Sequence, residues 1–240
     1  ITVAVTSFTV NMGKPLTLSN LSLKAWEKVF SRASIISSTT NSFLTATAAA
    51  FFGILISCVM AYLLQRTNVK GKRIPDFLIT LGSGTPSVTI ALALIISMSG
   101  KFGINIYNTL TIMVVAYMIK YMLMGMRTVV SAMSQVHPSL EEAAQISGAN
   151  WLRMLKDVTL PLIGASIVAG IFLIFMPSFY ELTMSTLLYS SNTKTIGYEL
   201  YIYQTYHSQQ VASALATAIL LFVILVNYIL SKLTKGQFSI

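Results

Sequence analysis

Groups able to do chemistry are few in this chain: seven carboxylates, two histidines and one cysteine among 240 residues. Cys58 lies inside an apolar run with no second thiol and no cation to stabilise a thiolate, so it reads as a small packing residue. His137 and His207 stand far from it and from each other, which leaves no zinc-type ligand set. There is no phosphate-cradling G-x-x-x-x-G-K-[ST] loop and no G-x-S-x-G nucleophile turn. No acid, base and nucleophile form a constellation, so an enzyme is not expected. Two charges fall within apolar stretches, where an ion is costly and is a functional candidate. Glu181 follows the helix-breaking Pro177, and it either lines or gates a path or orders a loop at the membrane boundary. Lys120 is expected to reach back to the headgroups along its flexible stem.

The elements that position these groups follow from composition. The chain is 55% apolar and 10% charged, with a mean hydropathy of +0.73, whereas an average soluble domain is about 25% charged. A single water-soluble domain is thereby excluded. A helix of about 20 apolar residues crosses a hydrocarbon core roughly 30 Å thick, and the charge-free runs place such spans at 39–64, 75–98, 104–126, 162–188 and 211–230. Residues 1–12 are equally uncharged but reach only some 20 Å as a helix, so they are expected to be the end of a sixth, incomplete span. The expected fold class is an all-α integral membrane protein of about six transmembrane helices.

Ten basic residues (Arg66, Lys70, Lys72, Arg73, Lys120, Arg127, Arg153, Lys156, Lys232 and Lys235) fall to one side of such a bundle. Six (Lys14, Lys24, Lys28, Arg32, Lys101 and Lys194) fall to the other, which places the first set in the cytoplasm. The net charge of +9 is then an orientation signal and not the basic soluble face that a nucleic acid requires. Leu23, Trp26, Val29 and Phe30 give the outer segment 11–38 the pattern of a short surface helix. Thr45, Ala49, Gly53, Ser57 and Ala61 recur every fourth residue, a stripe that lets a second helix approach closely. Gly82-Ser83-Gly84-Thr85-Pro86 breaks the third span within the membrane, either as a kink in a packing helix or as a bend beside a polar path.

Residues 127–161 form the loop between the fourth and fifth spans. Ser139-Leu140-Glu141-Glu142 has the form of a capping box, which predicts a helix starting near Ser139, and Gly148 supplies a left-handed stop. Asn150 is a good N-cap for a second short helix with Trp151, Leu152, Leu155 and Val158 on one face, and Pro161 suits the first turn of the next span. Such a helical pair outside the membrane is a docking element, lying either on its own bundle or in a partner's groove.

The residues also resemble a family signature. Glu142-Ala143-Ala144, three residues, Gly148, nine residues, then Val158-Thr159-Leu160-Pro161 is similar to the EAA loop of the inner-membrane permease subunits of binding-protein-dependent ABC importers, with Val158 where the family has Ile. His137 to Glu142 before the loop, and Glu181-Leu182-Thr183, Leu187-Leu188 and Asn192-Thr193 after it, resemble the branch that imports ferric iron, which has relatives for aminophosphonates and similar anions. The resemblance extends over the whole chain, which looks like the C-terminal half of a fused permease or a separate subunit.

The resemblance implies a role for each residue. The helix from Ser139 to Ser147 would be a cytoplasmic coupling helix, seated in a cleft of an ATP-binding subunit dimer. Glu142 would face a basic residue there, Ala143 and Ala144 would permit close approach, and Gly148 would turn the chain. Glu141, Trp151, Leu160 and Pro161 complete the loop, and Pro86, Pro177 and Glu181 are the path or gate candidates. The implied partners are that ATPase dimer, a second permease half or subunit, an external or periplasmic substrate-binding protein and the lipid bilayer of a bacterial inner membrane. ATP and magnesium would bind the ATPase, with no cofactor or metal held by this chain. Ferric iron is the first expected cargo; an aminophosphonate, another small phosphorylated anion, thiamine or a polyamine are the alternatives. Tyr201, Tyr203 and Tyr206 could offer hard oxygen to iron, but the favoured reading of the same residues is an interfacial tyrosine belt that anchors the sixth span. A secondary transporter driven by an ion gradient is the reading outside this class, and the scarcity of intramembrane ionisable groups speaks against it.

Overall fold

The structure is a computed structural model that describes residues 2–11, 13–15, 17–101 and 103–233. Among these residues every regular element is helical, apart from isolated bridges between Thr9 and Leu21 and between Ser99 and Asn105. In chain order the helices are α1 (Thr2–Thr6), α2 (Lys24–Ser31), α3 (Ala33–Arg66), α4 (Arg73–Gly84), α5 (Ser87–Ser97), α6 (Leu110–Gln135) and α7 (Pro138–Ile146). There follow α8 (Trp151–Met154), a π-helical turn (Leu155–Thr159), α9 (Leu160–Phe179), α10 (Thr183–Leu188), α11 (Ile196–Tyr206) and α12 (Gln209–Leu233).

Among the described residues four helices are long and apolar enough to cross a membrane: Ala33–Arg66, Leu110–Gln135, Trp151–Phe179 and Gln209–Lys232; the interrupted pair Arg73–Gly84 and Ser87–Met98 is a fifth candidate. The chain is a multi-pass membrane protein. Its polar side chains are accommodated inside the spans locally. In α3 the hydroxyls of Thr39, Thr45 and Ser57 each donate to the carbonyl four residues back, at 2.7, 2.8 and 2.7 Å, so none needs a partner from lipid.

The element boundaries differ from several of the expected spans. The helical part of residues 1–12 stops at Thr6; the chain then turns back, with Val10 N–H donating to Asn20 O at 2.9 Å and Ser22 N–H to Phe8 O at 2.7 Å. The segment 75–98 is two helices. Pro86 has no N–H and disfavours a helical Thr85, whose ψ is 137°. The fourth span continues to Gln135. The segment 162–188 is likewise divided, because α9 ends at Phe179, two residues beyond Pro177, and a separate short helix begins at Thr183.

The chain forms two compact units. One comprises residues 1–45, 87–113 and 179–239. Within it Arg32 donates to the Tyr203 hydroxyl at 2.7 Å, Asn41 donates to the carbonyls of Asn192 and Lys194 at 3.1 and 2.9 Å, and Ile196 N–H donates to Ser42 Oγ at 2.8 Å. Trp26 of α2 stacks on Phe8 with ring centroids 5.6 Å apart.

The second unit comprises residues 46–86 and 114–178. Its core is a cluster of Ile54, Ala61, Val129, Met133, Val136 and Ile163, with Cys58 and Tyr62 packed against it. The predicted small-residue stripe is buried, and in this unit it meets a helix of the same chain: a Cβ built on Gly53 would lie 3.1 Å from Ile174 Cδ1 of α9. Helices α6 and α9 meet backbone to backbone at Gly125 and Gly170, where a Cβ on Gly125 would come 3.2 Å from the Gly170 carbonyl oxygen. Close approach of backbones replaces the missing hydrophobic drive between membrane helices.

Candidate functional site

The loop between α6 and α9 is built from local signals. Its first helix begins two residues earlier than the capping box implies: His137 and not Ser139 is the N-cap, with Nδ1 accepting from Ser139 N–H at 3.2 Å. Pro138 takes the first helical position, where its missing N–H costs nothing, and this displaces Ser139 from the capping role. The C-terminus is closed as expected. Gly148 has φ +89°, and Gly148 N–H donates to Gln145 O at 2.9 Å while Ala149 N–H donates to Ala144 O at 3.0 Å, the Schellman pattern. Asn150 then caps α8 through Arg153 N–H at 2.9 Å.

From α8 the backbone runs without interruption into α9 as one helix, Trp151–Phe179. Pro161 therefore lies inside a continuous helix and not in the first turn of a new one. The π-helical turn just before it, in which Leu160 N–H reaches back to Leu155 O, provides the wider winding that an interior proline tolerates.

The side chains of α7 have an inverted polarity. Ile146 is 87% exposed, and Ser139, Glu142 and Ala143 lie exposed on the same face, whereas Glu141 is 6% exposed. An ordinary surface helix would turn its isoleucine in and its carboxylate out. Here Glu141 forms an ion pair with Arg66 at the end of α3, Nε to Oε1 at 3.0 Å, with both side chains 8% exposed. Arg66 also donates to the carbonyls of Val136 and Met133 at 2.7 and 3.3 Å, and Thr159 Oγ1 donates to Glu141 Oε1 at 3.0 Å. Buried charges require this degree of satisfaction. Glu142 forms no ion pair among the described residues.

Trp151 is half exposed yet anchored, since its Nε1–H donates to the Tyr62 hydroxyl at 2.9 Å with the rings edge to face. Beside it Leu152 is 68% exposed, and Met154 is buried beneath. Leu160 and Pro161 are exposed. The loop thus presents Glu142, Ala143, Ile146 and Leu152 outward and is fixed from behind by Glu141, Met154 and Thr159.

The other candidates lie apart from the loop. Pro86 is exposed at the break after α4. Lys120 does not reach for headgroups: Nζ donates to the carbonyls of Ser83 and Thr85 at 3.0 and 2.7 Å, acceptors at the helix break that lie within its reach. Arg127 approaches Asp76 at 2.9 Å, an ionic contact without hydrogen-bond geometry, and donates to Thr80 Oγ1 at 3.1 Å. Glu181 is buried, and its Oε1 accepts from Met184 N–H at 2.8 Å, a bond that holds the first turn of α10. The three phenols do not form one cluster: Tyr203 is buried against Arg32, whereas Tyr201 and Tyr206 are exposed with their rings edge to face, 6.5 Å apart. Among the described residues no group of three or more His, Cys, Asp or Glu could hold a metal ion.

This combination is an all-helical membrane fold whose two long spans α6 and α9 are joined by an exposed helical loop. A chain of a bacterial ABC transporter involved in the import of the acidic polysaccharide alginate is similar in fold, with a TM-score of 0.78 at 14% identity, covering 98% of this chain and 88% of that one. The chain belongs to the family of binding-protein-dependent transport system inner membrane components, whose pattern matches residues 17–235. Among curated relatives, the Fe(3+)-transport system permease protein FbpB 2 of Haemophilus influenzae is 24% identical over 197 residues, or 82% of this chain and 39% of that protein. The trehalose/maltose transport system permease protein MalG of Thermococcus litoralis is 28% identical over 208 residues, covering 82% and 73%. The chain thus spans well under half the length of the ferric permease it matches.

Proposed function

We propose that the chain is the non-catalytic permease part of an ATP-driven importer. Its loop faces the cytoplasm and seats α7 in a cleft of a separate ATP-binding subunit dimer. A second permease half or subunit completes the path, and a binding protein outside the inner membrane delivers the cargo. The observation that carries this reading is the inverted polarity of α7: Glu141 is held inward by Arg66 while Ile146 stands exposed beside Glu142 and Ala143, an apolar and acidic face suited to a partner's groove. Ferric iron is the cargo we favour, on the residues flanking the loop and the ferric-transport relative. Pro86, at the break that Lys120 fastens, is the proposed flexing point of the path, with Pro177 a second one, and Glu181 serves to order the loop around α10.

Glu142→Lys and Gly148→Asp test the docking. Each should release the ATPase subunit on purification and abolish uptake while the membrane bundle still accumulates. Retention of both the subunit and uptake would refute the reading. Uptake into vesicles that needs ATP and persists with ion gradients collapsed separates this mechanism from a secondary transporter. Metal analysis of the binding protein encoded beside the gene tests the cargo: a protein without iron would move the choice to an aminophosphonate, another phosphorylated anion, thiamine or a polyamine.

A further inference from the structure

We infer that Arg66 is a positioning residue of the transport cycle, fastening the docking loop to α3 so that α7, the foot of α9 and the ends of α3 and α6 move as one body. The inference rests on the reading of the loop as the ATPase-docking element.

One buried network joins four segments. Arg66 is the last residue of α3. Its guanidinium bonds the final carbonyls around the end of α6, at Met133 and Val136, and the carboxylate of Glu141 on α7. That carboxylate also accepts from Thr159 in the π-helical turn that leads into α9. Arginine, with several donors spread across a rigid plane, suits all three acceptors at once.

The energetics favour a stiff joint. Two desolvated charges are tolerated only while their geometry is good, and separating them leaves an uncompensated ion in the interior. Any slippage of α7 along α3 therefore meets a steep penalty, which a patch of interchangeable apolar contacts would not impose. Glu141 and Glu142 are consecutive, so they point about 100° apart around the helix. Glu142 faces the partner and takes the load; Glu141 passes it inward.

The test uses the transporter assembled with its ATP-binding subunits in liposomes, in a Cys58→Ala background. Spin labels are placed at Leu140→Cys and Val59→Cys, which are 47% and 60% exposed and outside the network. The expected result is one narrow label-to-label distance, unchanged between the nucleotide-free and ATP-bound states. In the apolar pair Arg66→Met/Glu141→Leu that distance should broaden, and cargo moved per ATP should fall by roughly tenfold, within the usual range of coupling between sites. The ATPase subunit should still co-purify. A distance that changes with nucleotide in the unaltered network would overturn the inference, as would unchanged cargo per ATP in the apolar pair. If the apolar pair does not assemble, the first measurement still decides. A failure of the docking reading itself looks different: the chain with Arg66 and Glu141 intact would not retain the ATPase subunit at all.

Discussion

Replacing Gly170 by alanine probes the closest helix contact in the second unit. The added Cβ would lie 2.7 Å from Ile54 Cδ1 and 3.4 Å from Gly125 Cα. Carbon atoms pack best at about 3.5–4.0 Å, so the methyl group of Ile54 must retreat by about 1 Å. Ile54 is 4% exposed and sits in the core cluster, which leaves it little room. Overpacking of this kind costs about 1–3 kcal/mol, and alanine returns up to about 1 kcal/mol in helix propensity, for a net loss of up to about 2 kcal/mol. Gly164 on the same helix is the control, because a Cβ there meets nothing within 4 Å; Gly164→Ala should be neutral or stabilising. Ile54→Val removes the clashing methyl group and alone costs about 0.5–1.5 kcal/mol. Combined with Gly170→Ala it should cost less than the sum of the two single changes by about 1 kcal/mol. The assay is unfolding of the purified protein in detergent, followed by the exposure of the half-buried Cys58 thiol. Equal midpoints for Gly164→Ala and Gly170→Ala, or strict additivity in the double variant, would refute the close-contact argument.

Two further outcomes can be checked. Lys120→Met removes the donor from the Ser83 and Thr85 carbonyls and should destabilise the break by about 1–3 kcal/mol, seen as faster hydrogen exchange confined to residues 81–87; exchange that is unchanged there would show that the ammonium does not hold the break. Trp151→Phe and Tyr62→Phe each break the same hydrogen bond, so each should cost about 0.5–1.5 kcal/mol, and the double variant should cost little more than either single change.

Signals confined to a few neighbouring residues were legible in the sequence. Charge-free runs located the long helices, Gly148 located a left-handed stop, and Asn150 located a cap. Competition between neighbours was not. The box at Ser139 and the His137-Pro138 pair both offer to satisfy the same free N–H groups, and the proline decides between them by fixing where the helix can begin. Long-range partners were hidden for a different reason. Which of two adjacent glutamates turns inward depends on Arg66, 75 positions away, and nothing near Glu141 marks it. The target of Lys120 was equally remote, because the carbonyls at Ser83 and Thr85 are ordinary until the fold brings an ammonium to them. Ile146 on the same helical face as Glu142 and Ala143 was the available sign that α7 does not follow the usual inside-out pattern.

The π-helical turn at Leu155–Thr159 gives the loop's spacing a geometrical meaning. Each residue of an α-helix advances the side chains by about 100° around the axis, and a π turn holds one residue more than an α turn, so it resets that phase between α8 and α9. The nine residues separating Gly148 from Val158 therefore act as a dial: they set the compass bearing at which the exposed face of α7 leaves the membrane helix. Substitutions within the dial can be absorbed. An insertion or deletion of a single residue swings the exposed α7 face by about 100° around the axis, even with every side chain of the face intact.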